Sequence, residues 1–190
     1  MSAARKIRPD GFTLIELMIT IAIFSITLTY GVSSYRSWVL NSQIRNAAES
    51  ISNGIMRARA EAVKCNAKVA FAMGTASAWT VTHVDACGTL AASSVLESRP
   101  SSEGSKNVTV VSTPTGTDTI TFGSLGTVVA NADGSAAPTK LDLSSTGSAA
   151  GVTLRPLRVE IGAGGDSRVC DPDSKIAAKS PPDPRRCYMP

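Results

Sequence analysis

Residues 11–16 read Gly-Phe-Thr-Leu-Ile-Glu, and they open an apolar run that continues to about residue 31. Within this run almost every residue is Leu, Ile, Met, Phe, Ala or Thr, and Glu16 carries the only charge. A helix needs about 20 predominantly apolar residues to cross a bilayer. The run therefore predicts a membrane-spanning helix over residues 12–31.

The segment before the run, residues 1–11, is short and basic. Arg5, Lys6 and Arg8 outweigh Asp10, so the positive-inside rule predicts that this end stays in the cytoplasm. A secretory signal peptide carries its small-residue cleavage site after the apolar core, whereas here the small residue, Gly11, precedes it. Cleavage after Gly11 would leave the helix on the mature protein.

Residues 11–17 resemble the class III signal of type IV pilins and type II secretion pseudopilins. This resemblance implies that a prepilin peptidase cuts after Gly11 and that Phe12 becomes the N-methylated first residue. It also implies a single-pass protein of the inner membrane with its C-terminal domain in the periplasm. Other pilins or pseudopilins would be its partners in a pilus or pseudopilus.

Glu16 is the residue of this run that calls for a partner. An ionised carboxylate costs about 2.5–3.5 kcal/mol at the centre of a membrane helix and less towards its ends. The freed amine of Phe12 on a neighbouring subunit would pair with it, and the pair would set the register of helices stacked in a filament. The alternative is that Glu16 reaches the headgroups or caps its own helix.

The helical pattern continues past residue 31 to about Lys64, because apolar residues still recur every three or four positions. Residues 32–66 are expected to form a periplasmic amphipathic half, within a helix roughly 80 Å long. Gly54 costs this helix about 1 kcal/mol relative to Ala, so it indicates a bend or a close approach. The apolar stripe is Val32, Tyr35, Val39, Ile44, Ala48, Ile51, Ile55 and Ala62, and polar residues between them include Arg36, Arg45, Glu49, Arg57 and Glu61.

Residues 67–190 predict a β-rich globular domain. Short segments with β-branched residues or alternation are separated by Gly, Ser, Pro, Asn and Asp clusters, which favours one antiparallel sheet or two small sheets. The predicted fold class is α+β, a type IV pilin-like fold in which the long helix packs on the sheet. Residues 93–107 are polar and are predicted to form a loop. The predicted strands are 68–73, 78–85, 108–112, 119–122, 127–130, 140–143 and 152–161.

Charge and cysteine usage limit the classes of function. The net charge of +4 falls to +2 once the leader is removed with its three cations and one Asp, which is too little to indicate nucleic acid by itself. All four cysteines follow the apolar run, where an oxidising periplasm permits disulfides. Proximity in sequence favours Cys65 with Cys87 and Cys170 with Cys187, with two free buried thiols as the alternative for the first pair.

Enzyme and metal sites are disfavoured. The sequence contains no Gly-x-Ser-x-Gly, no His-Glu-x-x-His and no phosphate-binding loop. No Cys-x-x-Cys is present, and His83 stands in a predicted strand without a second metal ligand nearby, so we interpret it as a structural histidine. We therefore predict a non-enzymatic protein with no metal, no cofactor and no small-molecule substrate. Trp79 is expected to anchor the core or a sheet edge, and Trp38 to lie at a membrane interface.

Three later stretches, residues 57–64, 120–126 and 157–170, resemble the GspH/FimT group of minor pilins and pseudopilins. The resemblance implies a spine helix that carries a C-terminal β domain. It also implies a low-abundance filament subunit that helps to prime assembly.

The tail, residues 167–190, is rich in cations, and a disulfide between Cys170 and Cys187 would close most of it into a loop. FimT-like pilins resemble this tail, with a paired-cysteine loop and a Gly-Arg-x-Arg turn implicated in DNA uptake. In this chain Asp166 replaces the first of those arginines. The candidate phosphate contacts are Arg168, Lys175, Lys179, Arg185 and Arg186.

Two functional hypotheses follow. The first is a minor type IV pilin that acts in pilus assembly and binds DNA for natural transformation. The alternative is a type II secretion pseudopilin that primes assembly without binding DNA, in which case the tail is a solvated loop of mixed charge.

Overall fold

One long helix, α1 (Leu14–Cys65), forms the N-terminal part of the chain. Thr13 caps its N-terminus, because Thr13 Oγ1 accepts a hydrogen bond from the backbone N–H of Glu16 at 3.3 Å. Asn66 caps its C-terminus in the left-handed conformation and donates its backbone N–H to the carbonyls of Ala62 and Val63. The continuous helix predicted from the apolar pattern is confirmed.

The computed structural model describes residues 11–147, 152–173 and 183–187. Within these residues, none of the helical structure has the combined length and hydropathy that crossing a membrane requires. The transmembrane assignment of residues 12–31 stays a prediction.

The strands form two antiparallel sheets, which is the second of the two arrangements that the sequence left open. The strands are β1 (Val69–Met73), β2 (Trp79–His83), β3 (Val95–Arg99), β4 (Val108–Thr113), β5 (Thr119–Phe122), β6 (Val128–Val129), β7 (Lys140–Ser145), β8 (Leu157–Ile161) and β9 (Ser167–Cys170). Strand order is β3-β2-β1-β5-β6 in the five-stranded sheet and β4-β7-β8-β9 in the four-stranded sheet.

The C-terminal half of α1 packs across both sheets and supplies one side of the core. Its packed face begins near Leu40 and not at residue 32, since Val32 and Tyr35 are exposed. Burial of each large side chain in this core contributes about 1.5–3 kcal/mol. The buried helix face is Ile44, Ala47, Ala48, Ile51, Ile55, Ala58 and Ala62, and it meets Val69, Phe71, Val81, Ile120 and Phe122 of one sheet and Leu141, Leu143, Val159 and Ile161 of the other.

Three strands differ from the sequence prediction. β3 lies inside residues 93–107, which were predicted to be a loop, and it pairs along β2 at the sheet edge. Its side chains are mostly exposed on both faces, so no apolar alternation marks it in the sequence. β9 was not predicted either, and β8 is shorter than the predicted strand 152–161.

Gly54 marks the closest approach of α1 to the five-stranded sheet. A Cβ at this position would lie 2.8 Å from Cε2 of Phe71 and 3.1 Å from the ring of Trp79. Trp79 is buried and donates its indole N–H to Ser50 Oγ at 2.8 Å, which confirms its predicted role as a core anchor. Of the two roles considered for Gly54, close packing is the one observed.

This packing predicts that Gly54→Ala destabilises the protein, although alanine is the better helix former by about 1 kcal/mol. The added methyl group would displace a fully buried ring, and overpacking of this kind costs about 1–3 kcal/mol. We expect urea denaturation of the full chain in detergent to show a lower free energy of unfolding. Asn53→Ala, on the exposed side of the same turn, is the matched control and should leave stability unchanged or raise it. A Gly54→Ala variant as stable as the control would contradict the packing described.

Candidate functional site

The N-terminal half of α1 exposes apolar side chains in every direction. These side chains span nearly four helical turns, from Leu14 to Leu28. Exposed apolar patches of this size mark sites that a membrane or another protein covers. We call this region the assembly surface, and its exposed apolar residues are Leu14, Ile15, Leu17, Met18, Ile19, Ile21, Ile23, Phe24, Ile26 and Leu28.

Hydroxyl groups on the assembly surface are already hydrogen-bonded within the helix. Thr20 Oγ1 donates to the Leu17 carbonyl at 2.8 Å, and Ser25 Oγ donates to the Ile21 carbonyl at 2.8 Å. Such bonds to preceding carbonyls remove the need for outside polar partners. These two hydroxyl groups therefore add little specificity of their own.

Glu16 differs from these residues. Its carboxylate is exposed in the first turn of α1, and within the described residues it forms no ion pair. Thr13 supplies the N-cap, so the capping role considered for Glu16 belongs to another residue. The carboxylate is favoured near the positive end of the helix dipole and is placed to accept a cation from outside the chain.

The second candidate site is the tail loop, which we define as residues 167–173 and 183–187. The structure pairs Cys170 with Cys187, with Cα atoms 5.0 Å apart, and pairs Cys65 with Cys87 at 5.3 Å. The Asp171 backbone N–H donates to the Arg185 carbonyl at 2.8 Å, which fastens the returning chain beside β9. The disulfide and this bond hold the two ends of the tail loop together.

The turn that leads into β9 is built on glycine. The Gly162 N–H donates to the Asp166 carbonyl, and the Gly165 N–H donates to the Gly162 carbonyl, both at 2.9 Å. Gly165 has φ +79°, and a Cβ there would collide with the Gly126 carbonyl. This segment is a tight hairpin turn between β8 and β9.

The structure brings Arg168, Arg185 and Arg186 to one edge of the four-stranded sheet, and none of the three is without a partner. Arg168 Nη2 donates to the Pro184 carbonyl at 2.6 Å, so this side chain fastens the tail loop. The guanidinium of Arg185 binds the Asp183 carboxylate at 3.0 and 3.1 Å. Hydrogen bonds and charge attraction from Asp183 raise the pKa of Arg185 above its ordinary value. Lys175 and Lys179, the other two candidates, lie outside the described residues.

The groove that α1 and the β7–β8 connection line together with the tail loop was not predicted from the sequence. Arg45 and Arg155 are exposed and share with Arg185 the wall of a groove of about 350 Å³. Asn41 positions this connection, because its Oδ1 accepts from the Arg155 N–H at 2.8 Å. The groove also contains Glu49 and Asp171, so its charge is mixed.

His83 is buried in β2, as a structural histidine would be, but potential metal ligands do lie near it in space. The sulfur atoms of Cys65 and Cys87 and one ring nitrogen of His83 all lie within 4.8 Å of one another. Glu61, which the helical pattern placed among the polar positions, is buried beside them. These four residues form the cysteine–histidine cluster, at the C-terminal end of α1.

Family models match most of the chain. The model described as type II transport protein GspH matches residues 47–172, which is more than half of the sequence. The model described as the prokaryotic N-terminal methylation motif matches residues 8–30. No curated protein sequence matches the chain significantly.

Two solved structures resemble this one, and both are crystal structures of the type IV minor pilin FimU of Pseudomonas aeruginosa, strain PAO1, in different space groups. The first is 16% identical in sequence, with a TM-score of 0.45, and the match covers 70% of this chain and 90% of that chain. The second is 14% identical, with a TM-score of 0.44, and covers 66% and 90%.

The GspH match covers most of the packed half of α1 and the strands, and the methylation-motif match covers the predicted cleavage site and the assembly surface. The N-terminal signal and the β domain thus point to the same kind of protein. The chain belongs to the GspH family of type IV minor pilins and pseudopilins.

Proposed function

We propose that this protein is a non-enzymatic filament subunit that assembles through the N-terminal half of α1. The observation that carries the proposal is the assembly surface, an apolar helix exposed on every side with Glu16 as its single charge. Such a helix is covered first by lipid and then by the helices of neighbouring subunits. Its place before assembly is the inner membrane, with the β domain in the periplasm.

In this proposal Glu16 determines how the helices of neighbouring subunits align. Lipid tails are as apolar as leucine side chains, so transfer from membrane to filament gains little from the hydrophobic effect. A carboxylate in apolar surroundings needs an opposite charge. The amine that prepilin peptidase frees on Phe12 provides that charge on the neighbouring subunit and fixes how far one helix slides along the next.

Capture of DNA during uptake is a second candidate function, and it would make the protein a minor type IV pilin. The groove beside the tail loop supports it, because Arg45, Arg155 and Arg185 meet there from three separate segments. Phosphate contacts from such residues supply affinity that does not depend on base sequence. The competing proposal is a type II secretion pseudopilin, which the mixed charge of the groove and the partners of Arg168 and Arg185 favour.

Replacement of Glu16 tests the assembly proposal. We expect Glu16→Ala to lower the amount of the protein in sheared filaments by about tenfold, which corresponds to the loss of about 1.4 kcal/mol. Immunoblotting of the filament fraction against the membrane fraction measures this ratio. Mass analysis of the N-terminus should show that leader cleavage is unchanged.

Glu49→Ala is the matched control, because it removes an exposed carboxylate from the same helix outside the assembly surface. It should enter filaments like the unmodified protein. Equal incorporation of Glu16→Ala and Glu49→Ala would show that the carboxylate has no part in assembly.

The DNA hypothesis predicts a salt-dependent mobility shift with the full chain in detergent. We expect the triple variant Lys175→Ala, Lys179→Ala, Arg185→Ala to bind duplex DNA more weakly and to lower the salt slope by roughly 3, since each phosphate contact contributes about 0.9. Arg168 is left in place, because its bond to Pro184 holds the tail loop.

The control variant removes three exposed cations away from the tail loop, by Arg57→Ala, Lys68→Ala and Lys106→Ala. It changes the net charge equally and should retain most of the binding. If the tail variant binds as well as this control, or the unmodified protein does not bind, the tail is not a DNA receptor and the pseudopilin alternative stands.

A further inference from the structure

The side chain of His83 is polar and buried, and the neighbouring residues do not explain how its ring nitrogens are satisfied. It closes β2, is 1% exposed, and within the described residues neither ring nitrogen has a hydrogen-bond partner. Its backbone is fully engaged, because its N–H donates to the Ser94 carbonyl and its carbonyl accepts from Ser93. A buried polar group without a partner costs about 1–3 kcal/mol. The ring nitrogens of His83 are therefore available to bind a ligand.

The atoms nearest the imidazole are those that bind soft and borderline metal ions. The sulfur atoms of Cys65 and Cys87 lie with one ring nitrogen of His83 inside a 4.8 Å span. Glu61 is 3% exposed, and its Oε1 lies 4.0 Å from His83 Nε2 and 3.4 Å from Cys65 Sγ. Two thiolates, an imidazole and a carboxylate are established ligands of four-coordinate zinc.

We propose that the reduced form of this protein binds one Zn²⁺, or a divalent cation of similar preference, in the cysteine–histidine cluster. Cys65, Cys87 and His83 are three ligands and Glu61 is the fourth. In the structure the two sulfur atoms are joined, so the disulfide and the metal site are alternative states of the same residues.

The disulfide form is converted to the metal form by a two-electron reduction and then by binding of the cation. A dithiol reductant breaks the bond between Cys65 and Cys87, leaves two cysteine thiols and is itself oxidised to a disulfide. Binding of the cation then releases the two thiol protons. The sulfur atoms move apart to about 3.8 Å, the separation set by tetrahedral geometry with Zn–S distances of about 2.3 Å.

The electrostatics of the cluster suit both states. Lys64 Nζ lies 3.1 Å from Glu61 Oε1, so in the disulfide form one positive charge accompanies one carboxylate. In the metal form the cation and Lys64 bring three positive charges, and the two thiolates and Glu61 bring three negative charges. These charges balance in both forms, so neither form leaves an unbalanced charge on them.

Both states also join the same parts of the fold. Cys65 ends α1, and Cys87 follows β2 at a sequence separation of 22. Glu61 and Cys65 are four residues apart on one helix face, so they point to the same place. The cation would replace the disulfide as the link between the end of the helix and the five-stranded sheet.

The second disulfide provides an internal comparison. Cys170 and Cys187 lie near Glu160, but no histidine belongs to that group in the described part of the chain. It offers three ligands and no nitrogen donor. The proposal therefore assigns the cation to the first pair alone.

Titration of the full chain in detergent with Co²⁺ tests this inference. The protein is reduced with excess dithiol, separated from the reductant without oxygen, and compared with the oxidised protein. We expect the reduced protein to bind one Co²⁺ with the visible absorption of tetrahedral cobalt thiolate, and Zn²⁺ to displace it. The oxidised protein should bind none.

Variants identify the ligands. We expect His83→Ala and Glu61→Gln each to weaken binding by at least about tenfold. His83→Gln retains much of the side-chain volume and gives a second test if the smaller variant unfolds, and far-UV circular dichroism reports on folding. The double variant Cys170→Ser, Cys187→Ser is the control and should still bind one cation.

Three results would overturn the proposal. The first is that the reduced protein binds no cation. The second is that the folded His83 variants bind the cation as tightly as the unmodified protein does. The third is that binding is lost only when Cys170 and Cys187 are replaced. None of these results bears on assembly through Glu16, which is measured separately.

Discussion

Small side chains on one face of α1 set the distance at which the helix meets the two sheets. Gly54 lies against the rings of Phe71 and Trp79, with no room for a methyl group, and alanines occupy four more buried positions along the same face. This close approach lets one helix cover both sheets and brings β9 beside it, where Ser167 Oγ lies 2.9 Å from Ser52 Oγ. The tail loop and the cysteine–histidine cluster both depend on that placement.

The same helix has two kinds of surroundings. Its C-terminal half buries one face in the domain, whereas its N-terminal half exposes apolar side chains all round. The domain therefore does not use the assembly surface for its own core. A surface that the fold does not need is available to lipid and to other chains. In the proposed function, the pairing of Glu16 with the Phe12 amine of a neighbouring subunit sets the alignment of the helices.

The sequence predicted the features whose signal is local. The class III motif, the long helix and most strands follow from spacing within a few residues, and the core position of Trp79 follows from its strand. Contacts between distant segments could not be predicted. Arg45 and Arg155 are more than 100 residues apart but line one groove, and Glu61 looks polar and exposed in the helical pattern, although it lies beside His83. β3 was missed because an edge strand with polar faces lacks alternation.

The most direct measurement of the central claim is the mass of the N-terminal peptide of the protein purified from cells. Assembly through Glu16 requires the amine that cleavage after Gly11 creates. The account predicts a peptide that begins at Phe12 and carries one methyl group. A peptide that still contains residues 1–11 would contradict it, because Glu16 would then have no amine of Phe12 with which to pair.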